Sequence, residues 1–354
     1  MKRLALVIGA MLLVLGTALA VLLKPQAQRS SALDEKMSVS AGDYKLSGPY
    51  THDNLTIFLI HGTDKLTGKT PLTLQEAMAQ KKVIVHETKN VNQLAIENVS
   101  AEEVYVQAGD IVKGGQQDRV LAFDLIVPPR SGRMPIASFC VEQGRWSRRG
   151  QETVEAFSVS TSQLNSKDLK MAAKRDASQH AVWDKVAENR AKVSRNVSVP
   201  AGVAATPVAS STTSLQLMVE ENPVKEKVGG YRNGLASVIE GKLDVIGYVF
   251  AINGKVNSAD VYTSSALFRK LWAKLLEASA VEAIAELDKS KTFEPASVEA
   301  AKASLADAES GKASEKEVTK RVKLVTRETA KNLLFETCDA QRNGVWIHRN
   351  YLTK

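Results

Sequence analysis

The sequence predicts an α+β fold: a β-rich N-terminal lobe, arranged as a sandwich or barrel-like antiparallel sheet, followed by helices, a β-hairpin and a packing helix. Between residues 82 and 146, short apolar runs alternate with turn residues, and no long helical pattern intervenes, which favours antiparallel strands. After Gly150 the apolar residues recur at helical spacing. Asn253-Gly254 then joins two strand-like runs, and Asn-Gly is a strong signal for a two-residue hairpin.

The N-terminus has the pattern of a targeting segment. Lys2 and Arg3 precede an uncharged, mostly apolar run at residues 4–23. The basic pair should stay in the cytoplasm, so we expect the rest of the chain outside the cytoplasmic membrane, periplasmic or secreted. Residues 1–24 are either a cleaved signal peptide or an uncleaved anchor long enough to span a bilayer, and an anchor would make the membrane a partner.

The remaining chain is long enough for one large or two ordinary domains. Its 354 residues are 44% hydrophobic and 24% charged, which is normal for a protein with a sizeable core. Composition divides it into a polar linker (25–45), a globular domain (46–290) and a C-terminal helix with a possible hairpin extension (291–354). The globular domain comprises a β-rich lobe (46–150) and an α/β lobe (151–290).

The β-rich lobe begins with an apolar, β-branched run at 55–60, which predicts a buried strand. Thr73 and Glu76 have the spacing of a capping box, which predicts a short helix ending near residue 80. Further strands are predicted at 83–86, 93–98, 103–106, 110–113, 120–127 and 135–141.

The later elements alternate helical and strand patterns. Residues 168–193 predict one long or two short amphipathic helices, and 196–214 predict a surface loop. A helix is predicted at 222–240 with a break at Gly229-Gly230. The remaining predictions are the hairpin strands 243–252 and 255–262, a packing helix at 264–287, a helix at 294–311, and a last hairpin about Asn343-Gly344.

Charge and cysteine content limit the partners. The net charge of +8 is consistent with simple solubility or with anionic partners, but nucleic acid is a poor partner for an exported chain. Cys140 and Cys338 could form a disulfide in an oxidising compartment. Alternatively they are buried structural thiols, or Cys140 is reactive.

Familiar catalytic and cofactor motifs are absent. The five histidines form no HExxH, and neither cysteine has a CxxC partner, so we predict no motif-defined metal site. There is no GxSxG, Walker A or GxGxxG motif after a strand, and no cofactor is identified.

The most distinctive chemistry lies in a turn between predicted strands. Adjacent glycines let backbone amides approach a ligand, and successive amides can bind an anion. Arg119 could clamp a phosphate or carboxylate, and Asp118 and the two glutamines could bind hydroxyl or amide groups. In an enzyme, Asp118 could also act as an acid or base. The alternative is a structural hairpin in which these residues satisfy local backbone groups. The predicted ligand-binding residues of this turn are Lys113, Gly114, Gly115, Gln116, Gln117 and Arg119.

A second group follows at the end of an apolar strand. Strand alternation places Cys140 and Glu142 on one face, and Arg145 and Trp146 come next. Because a nearby carboxylate raises the pKa of a thiol, Cys140 is a weak candidate nucleophile unless Arg145 offsets Glu142. Catalytic candidates are therefore Asp118, Glu142 and Cys140, and Arg145 and Trp146 are further ligand-binding candidates. The structural alternative is a buried thiol beside a paired Glu142 and Arg145.

Three motifs resemble a known family. GDIVKGGQQDR at 109–119, SFCVEQGRW at 138–146, and AINGKV at 251–256 running into LFRKLW at 267–272 are similar to the domain of the ADP-ribosylglycohydrolase and rhodanese-phosphatase-associated proteins. The resemblance covers about residues 46–287. It implies a link to ADP-ribose or NAD-derived nucleotides by association, and it carries no established catalytic residue.

Three functions follow from these observations. The first is a binding or interaction module that holds an anionic, phosphate- or nucleotide-like ligand through the 114–119 turn and Arg145. The second is an enzyme that acts on an ADP-ribose-derived or other phosphorylated substrate. The third is a structural envelope protein without a small-molecule site.

Overall fold

The computed structural model describes residues 44–66, 68–197 and 213–354. The predicted targeting segment, the linker up to residue 43 and most of the predicted loop at 196–214 lie outside these residues. None of the helices in the described ranges is both long enough and apolar enough to cross a membrane.

The described residues form seventeen strands and seven α-helices. The strands are β1 (Lys45–His52), β2 (Leu55–His61), β3 (Leu72–Thr73), β4 (Val83–Asn90), β5 (Gln93–Asn98), β6 (Val104–Val106), β7 (Asp110–Gly114), β8 (Arg119–Leu121), β9 (Leu125–Val127), β10 (Gly132–Cys140), β11 (Phe157–Gln163), β12 (Val245–Ile252), β13 (Lys255–Tyr262), β14 (Lys312–Glu317), β15 (Val322–Glu328), β16 (Asn332–Asp339) and β17 (Val345–Thr353). The helices are α1 (Leu74–Ala79), α2 (Lys167–Lys174), α3 (Gln179–Val197), α4 (Leu215–Glu220), α5 (Asn222–Leu235), α6 (Ser265–Ala285) and α7 (Val298–Glu309).

The largest sheet has eight strands in the order β1-β2-β12-β13-β17-β16-β15-β14. Every neighbouring pair is antiparallel. Its last four strands along the chain, β14 to β17, come from the segment that the sequence assigned to a C-terminal extension. These strands are integral to the sheet, because β17 pairs with both β13 and β16.

The N-terminal lobe contains a six-stranded sheet in the order β11-β7-β8-β10-β5-β4. An isolated bridge joins His86 in β4 to Ala156, just before β11, so the two edges of this sheet meet and it is a nearly closed barrel. A smaller sheet, β3-β6-β9, lies in the same lobe. The predicted α+β fold with a barrel-like antiparallel sheet is therefore confirmed.

Local sequence signals account for several elements. The capping box is present: the Thr73 side chain accepts a hydrogen bond from the Glu76 amide at 3.2 Å, and Glu76 Oε2 accepts one from the Thr73 amide at 2.8 Å. Asn253 and Gly254 both have positive φ, 53° and 74°, as a type I′ hairpin turn requires. The packing helix α6 is capped by Ser264, and buried residues occur around most of its circumference.

Buried apolar residues form two main clusters. The larger cluster joins the eight-stranded sheet to the helices α2 to α6 and includes residues of the barrel-like sheet such as Ile111, Val120 and Phe139. The smaller one is built from the barrel-like and three-stranded sheets with α1. Burial of apolar surface in these clusters is the main favourable contribution to folding.

Two sequence predictions were wrong, and four strands were missed. The run at 120–127 is two short strands, because residues 122–124 leave the ladder and the Asp124 carboxylate accepts a hydrogen bond from the Ala108 amide at 2.7 Å. The helix α5 continues through Gly229-Gly230 without a break, since its neighbours Val224, Val228 and Tyr231 are buried and hold it in place. Strands β1, β3, β11 and β14 were not predicted, and β14 has no buried residue to give it an apolar pattern.

Candidate functional site

The predicted 113–119 turn connects β7 to β8 at the rim of the barrel-like sheet. Gly114 and Gly115 have φ values of 114° and 55°, so both need the conformational freedom of glycine. The Gly114 amide donates to Asp118 Oδ1 at 2.9 Å, and the Gln116 amide donates to Glu87 Oε2 at 3.1 Å. Backbone amides of the turn that the sequence analysis assigned to an anionic ligand thus bind carboxylates of the chain itself.

Behind the turn, four charged side chains form a buried cluster, which we call the arginine clasp: Asp118, Glu142, Arg145 and Arg149. Arg149 contacts Asp118 at 2.8 and 2.9 Å, and Arg145 Nε donates to Glu142 Oε2 at 2.8 Å. Arg145 also donates to the Gly114 and Gly115 carbonyls at 3.3 and 3.2 Å. Asp118 and Glu142 are completely buried. These carboxylates and guanidinium groups are mutual partners, and together they fasten the 141–150 loop to the turn.

Arg119 lies outside the clasp and is itself completely buried. Its guanidinium contacts Cys140 Sγ, and its Nη2 lies 3.6 Å from Glu87 Oε2. The partly exposed Trp146 ring covers it, with 5.3 Å between the guanidinium carbon and the ring centroid. The Lys113 side chain belongs to neither group: its Nζ lies 2.6 Å from Glu220 Oε2.

Both cysteines are free thiols. Burial raises the pKa of Cys140 to about 11, although Arg119 opposes the shift. The thiol is therefore protonated at neutral pH, which disfavours it as a nucleophile.

The structure also brings together charged residues that the sequence analysis did not predict as a site. This central charge cluster consists of Asp124, Lys170, Lys174, Asp260 and His348, and it lies between α2 and the inner face of the eight-stranded sheet. His348 Nδ1 lies 3.1 Å from Asp124 Oδ2, and His348 Nε2 lies 3.0 Å from Asp260 Oδ1.

The two carboxylates fix the charge of His348. Burial alone would lower the pKa of His348, but Asp124 and Asp260 outweigh burial and leave the pKa raised. For Asp124 burial acts in the opposite direction and would raise the pKa, but His348 and Lys174 hold this pKa well below its usual range. Because both ring nitrogens face carboxylates, the imidazolium form satisfies both of them, and His348 has no free nitrogen to act as a general base.

A third feature is an open cavity of about 280 Å³ in the helical layer, which we call the cleft. Its apolar wall consists of Val219, Val228, Ala278 and Val281, and its polar lining consists of Ser162, Gln163, Asn165, Glu220, Lys225, Arg232 and Glu277, with Gly229 between them. A Cβ atom added at Gly229 would meet no heavy atom within 4 Å, so the missing side chain leaves part of this space open.

Two buried oxygens of the lining have unused hydrogen-bonding capacity. Gln163 Oε1 and Asn165 Oδ1 have no hydrogen-bond partner among the residues that the structure describes. Asn165 is held in place by its amide nitrogen, which donates to Asn189 Oδ1 at 3.1 Å. In residues 44–66, 68–197 and 213–354, no group of three or more His, Cys, Asp and Glu side chains is arranged to hold a metal ion.

A model of the ARG and Rhodanese-Phosphatase-superfamily-associated Protein domain matches residues 43–352. The chain belongs to this family. The resemblance drawn from the three motifs is thereby confirmed, and the match includes the C-terminal strands β14 to β17. No curated protein and no solved structure gives a significant match.

The arginine clasp, the central charge cluster and the cleft all lie within the family domain. The sequence analysis brought together three of the four clasp residues, Asp118, Glu142 and Arg145, because they are close along the chain, but it did not predict Arg149 as a site residue. The other two features combine distant segments. Some signals of the central charge cluster were present. Lys170 and Lys174 are one helical turn apart, and Asp260 and His348 are polar residues in otherwise mostly buried strands.

Proposed function

We propose that this protein is a binding module that acts outside the cytoplasmic membrane, and that its ligand is a small hydroxylated molecule with an anionic group, held in the cleft. A concave site with an apolar wall and a few polar groups is the usual form of a small-molecule site. The basic and apolar pattern of residues 1–24 supports the extracytoplasmic location.

The observation that carries the proposal is the pair of unused acceptors, Gln163 Oε1 and Asn165 Oδ1. A buried acceptor without a partner costs about 1–3 kcal/mol. Ligand hydroxyl groups would donate to these oxygens and remove that cost. The site therefore favours a ligand that presents hydroxyl donors, as a ribose does.

The anionic group is assigned to the rim of the cleft. Arg232 is 58% exposed and has only a loose contact with Glu277, at 3.9 Å, and Lys225 on the same helix is exposed. These cations are more available than the arginines of the clasp, which already bind carboxylates. A sugar phosphate or ADP-ribose combines the required hydroxyl and phosphate groups, and the family's association with ADP-ribosylglycohydrolases agrees with that choice.

The test is thermal unfolding with and without ADP-ribose, ribose 5-phosphate and ribose. We expect ADP-ribose and ribose 5-phosphate to raise the midpoint by a few degrees, and ribose to act more weakly. Gly229→Phe should abolish the shift, because its ring would fill the open space beside the helix. Gly229→Ala is the matched control and should bind normally. Undiminished binding by Gly229→Phe would rule out the cleft, and no response to any ligand would favour a structural envelope protein.

An enzyme is the second candidate, and Glu277 favours it. Burial raises the pKa of Glu277 even though Arg232 opposes the shift, so a carboxyl that holds its proton more tightly than usual lies on the wall of the cleft. Incubation of wild type and Glu277→Gln with ADP-ribose distinguishes the two candidates. Product formation that is lost in Glu277→Gln while binding persists indicates an enzyme, and binding without product formation indicates a binding module.

A further inference from the structure

Helix α2 directs three lysines toward the inner face of the eight-stranded sheet. Lys167 Nζ donates to Thr353 Oγ1 at 3.0 Å. Lys170 Nζ lies 4.0 Å from Asp260 Oδ2, and Lys174 Nζ lies 4.8 Å from the centroid of the Phe335 ring. Within the described part of the chain, the ammonium groups of Lys170 and Lys174 have no hydrogen-bond partner. Lys170 and Lys174 are only 7% and 9% exposed.

The opposite wall presents an acceptor that is also unused. Asp260 Oδ1 is bonded to His348 Nε2 at 3.0 Å and to Asn350 Nδ2 at 2.9 Å. Asp260 Oδ2 is buried and has no hydrogen-bond partner in the ranges that the structure covers. Ammonium donors of α2 thus lie near a carboxylate oxygen of β13 that has no hydrogen-bond partner in those ranges.

Among the residues that the structure describes, the ammonium groups of Lys170 and Lys174 lack an acceptor. Asp260 Oδ2 lies 4.0 Å from Lys170 Nζ, beyond hydrogen-bond distance, and Lys174 Nζ faces the Phe335 ring. A donor without a partner on a mostly buried side chain is costly, and a bound anionic group would accept hydrogen bonds from both lysines.

The hydrogen-bonding requirements narrow the identity of that group. It must accept hydrogen bonds from two ammonium groups, and it must donate one to Asp260 Oδ2. An oxyanion that retains a proton at neutral pH, such as hydrogen phosphate or bicarbonate, does both. Sulfate is similar in size and charge to phosphate, but it carries no hydroxyl group at that pH and cannot donate to a carboxylate.

We propose that Lys170, Lys174 and Asp260 form a second binding site, separate from the cleft, for a compact oxyanion that retains one proton. The lysines supply the attraction, and Asp260 Oδ2 selects for the hydroxyl group. His348 holds Asp260 in position through Oδ1, and its positive charge adds to the attraction for the anion.

A purely structural role for Lys174 would be expected to have a different effect on its pKa. If Lys174 served only to neutralise Asp124 and Asp260, its ammonium form would be favoured in the fold. Burial instead lowers the pKa of Lys174, despite the opposing effect of both carboxylates. Replacing this lysine by an apolar residue should therefore leave the ligand-free protein as stable as wild type, or more stable.

The experiment compares thermal unfolding of the full chain in phosphate, bicarbonate and sulfate at matched ionic strength. Both phosphate and sulfate stabilise proteins non-specifically, so sulfate gives the baseline. We expect phosphate, bicarbonate or both to raise the midpoint above that baseline by a few degrees, and the stronger of the two identifies the preferred anion. Lys174→Met should lose this excess, whereas Lys289→Met, which removes the same charge from an exposed position, should keep it.

Two further variants make the result decisive. Gly229→Phe should keep the excess stabilisation, because the cleft is a different site. Lys170→Gln should lose it, and this variant carries the test if Lys174→Met does not fold. An equal response to sulfate would overturn the requirement for a proton. The absence of any excess in wild type, or its persistence in both lysine variants, would overturn the site.

Discussion

Arg149 holds Asp118 through both terminal nitrogens of its guanidinium group, with Nη1 2.8 Å from Oδ2 and Nη2 2.9 Å from Oδ1. Asp118 also accepts hydrogen bonds from the Gly114 amide and from the Ser214 hydroxyl, at 2.9 and 2.8 Å. One buried carboxylate therefore fastens the β7–β8 turn, the 141–150 loop and the start of α4.

The first prediction concerns this pair. Arg149→Ala should lower the free energy of unfolding by about 3–5 kcal/mol, because it leaves the buried Asp118 charge without its main partner. Arg148→Ala is the matched control: Arg148 is the adjacent residue and is exposed, so its loss should change stability by less than about 0.5 kcal/mol. Urea unfolding of both variants provides the measurement. Similar stabilities for the two variants would show that the clasp does not stabilise the fold.

The second prediction separates backbone strain from a steric clash in the two Asn-Gly turns. Gly254 and Gly344 both have a φ of 74°. A Cβ at Gly344 would meet nothing within 4 Å, whereas one at Gly254 would lie 2.4 Å from the Glu294 carbonyl oxygen. Gly344→Ala should therefore cost about 1–2 kcal/mol, the strain of the left-handed conformation alone.

Gly254→Ala should lower the free energy of unfolding by at least about 1 kcal/mol more than Gly344→Ala does, because the backbone at Glu294 must also move. The free energies of unfolding of the two variants, measured by urea denaturation under one set of conditions, test the difference. Equal costs would mean that the segment around Glu294 yields without penalty.

The features that could be predicted from the sequence are those that depend on nearby residues. The capping box at Thr73 and the hairpin at Asn253-Gly254 are each specified within a few positions, and both are confirmed. The barrel-like character of the N-terminal lobe followed from the close spacing of its strands. Where tertiary contacts decide the outcome, local patterns failed: Gly229-Gly230 lies in a continuous helix because its neighbours are buried.

The same distinction explains what was predicted of the candidate sites. The clasp residues Asp118, Glu142 and Arg145 are close in sequence, so their association was foreseeable. The pairing of Glu142 with Arg145 was the structural alternative in the sequence analysis, whereas the pairing of Asp118 with Arg149 was not predicted. The central charge cluster joins Asp124, Lys174 and His348, which are far apart along the chain. Its existence depends on the pairing of β17 with β13 and on the position of α2, neither of which a local pattern encodes.

The third prediction compares two glycines of α5, Gly229 and Gly234, whose surroundings differ. Gly229→Ala should raise the free energy of unfolding by about 0.5–1 kcal/mol, because alanine favours a helix and the new methyl group meets open space. Gly234→Ala, in the same helix, should be destabilising or neutral, because its Cβ would lie 2.5 Å from His52 Nδ1. Thermal or urea unfolding measures both. A gain in stability at Gly234 equal to that at Gly229 would show that His52 moves aside freely.

The last prediction concerns Glu282, which is buried in α6. Burial raises the pKa of Glu282 to about 7, although hydrogen bonds from the Lys167 amide and Asn257 oppose the shift. The folded state therefore binds the Glu282 proton more tightly than the unfolded chain does. As the pH rises from the unfolded pKa of about 4.3 to the folded value, this carboxyl makes the fold progressively less stable, and above the folded pKa the loss is complete.

Glu282→Gln should remove this dependence while keeping the Oε1 acceptor for both donors. At about pH 8 the variant should be more stable than wild type by on the order of 3 kcal/mol, and at about pH 4 the two should be similar. Glu286→Gln, one turn further along and exposed, is the control and should show no such gain. Urea unfolding across this pH range is the measurement. A variant that is less stable than wild type at the higher pH would mean that the ionised carboxylate, through its attraction to Lys170, stabilises the fold after all.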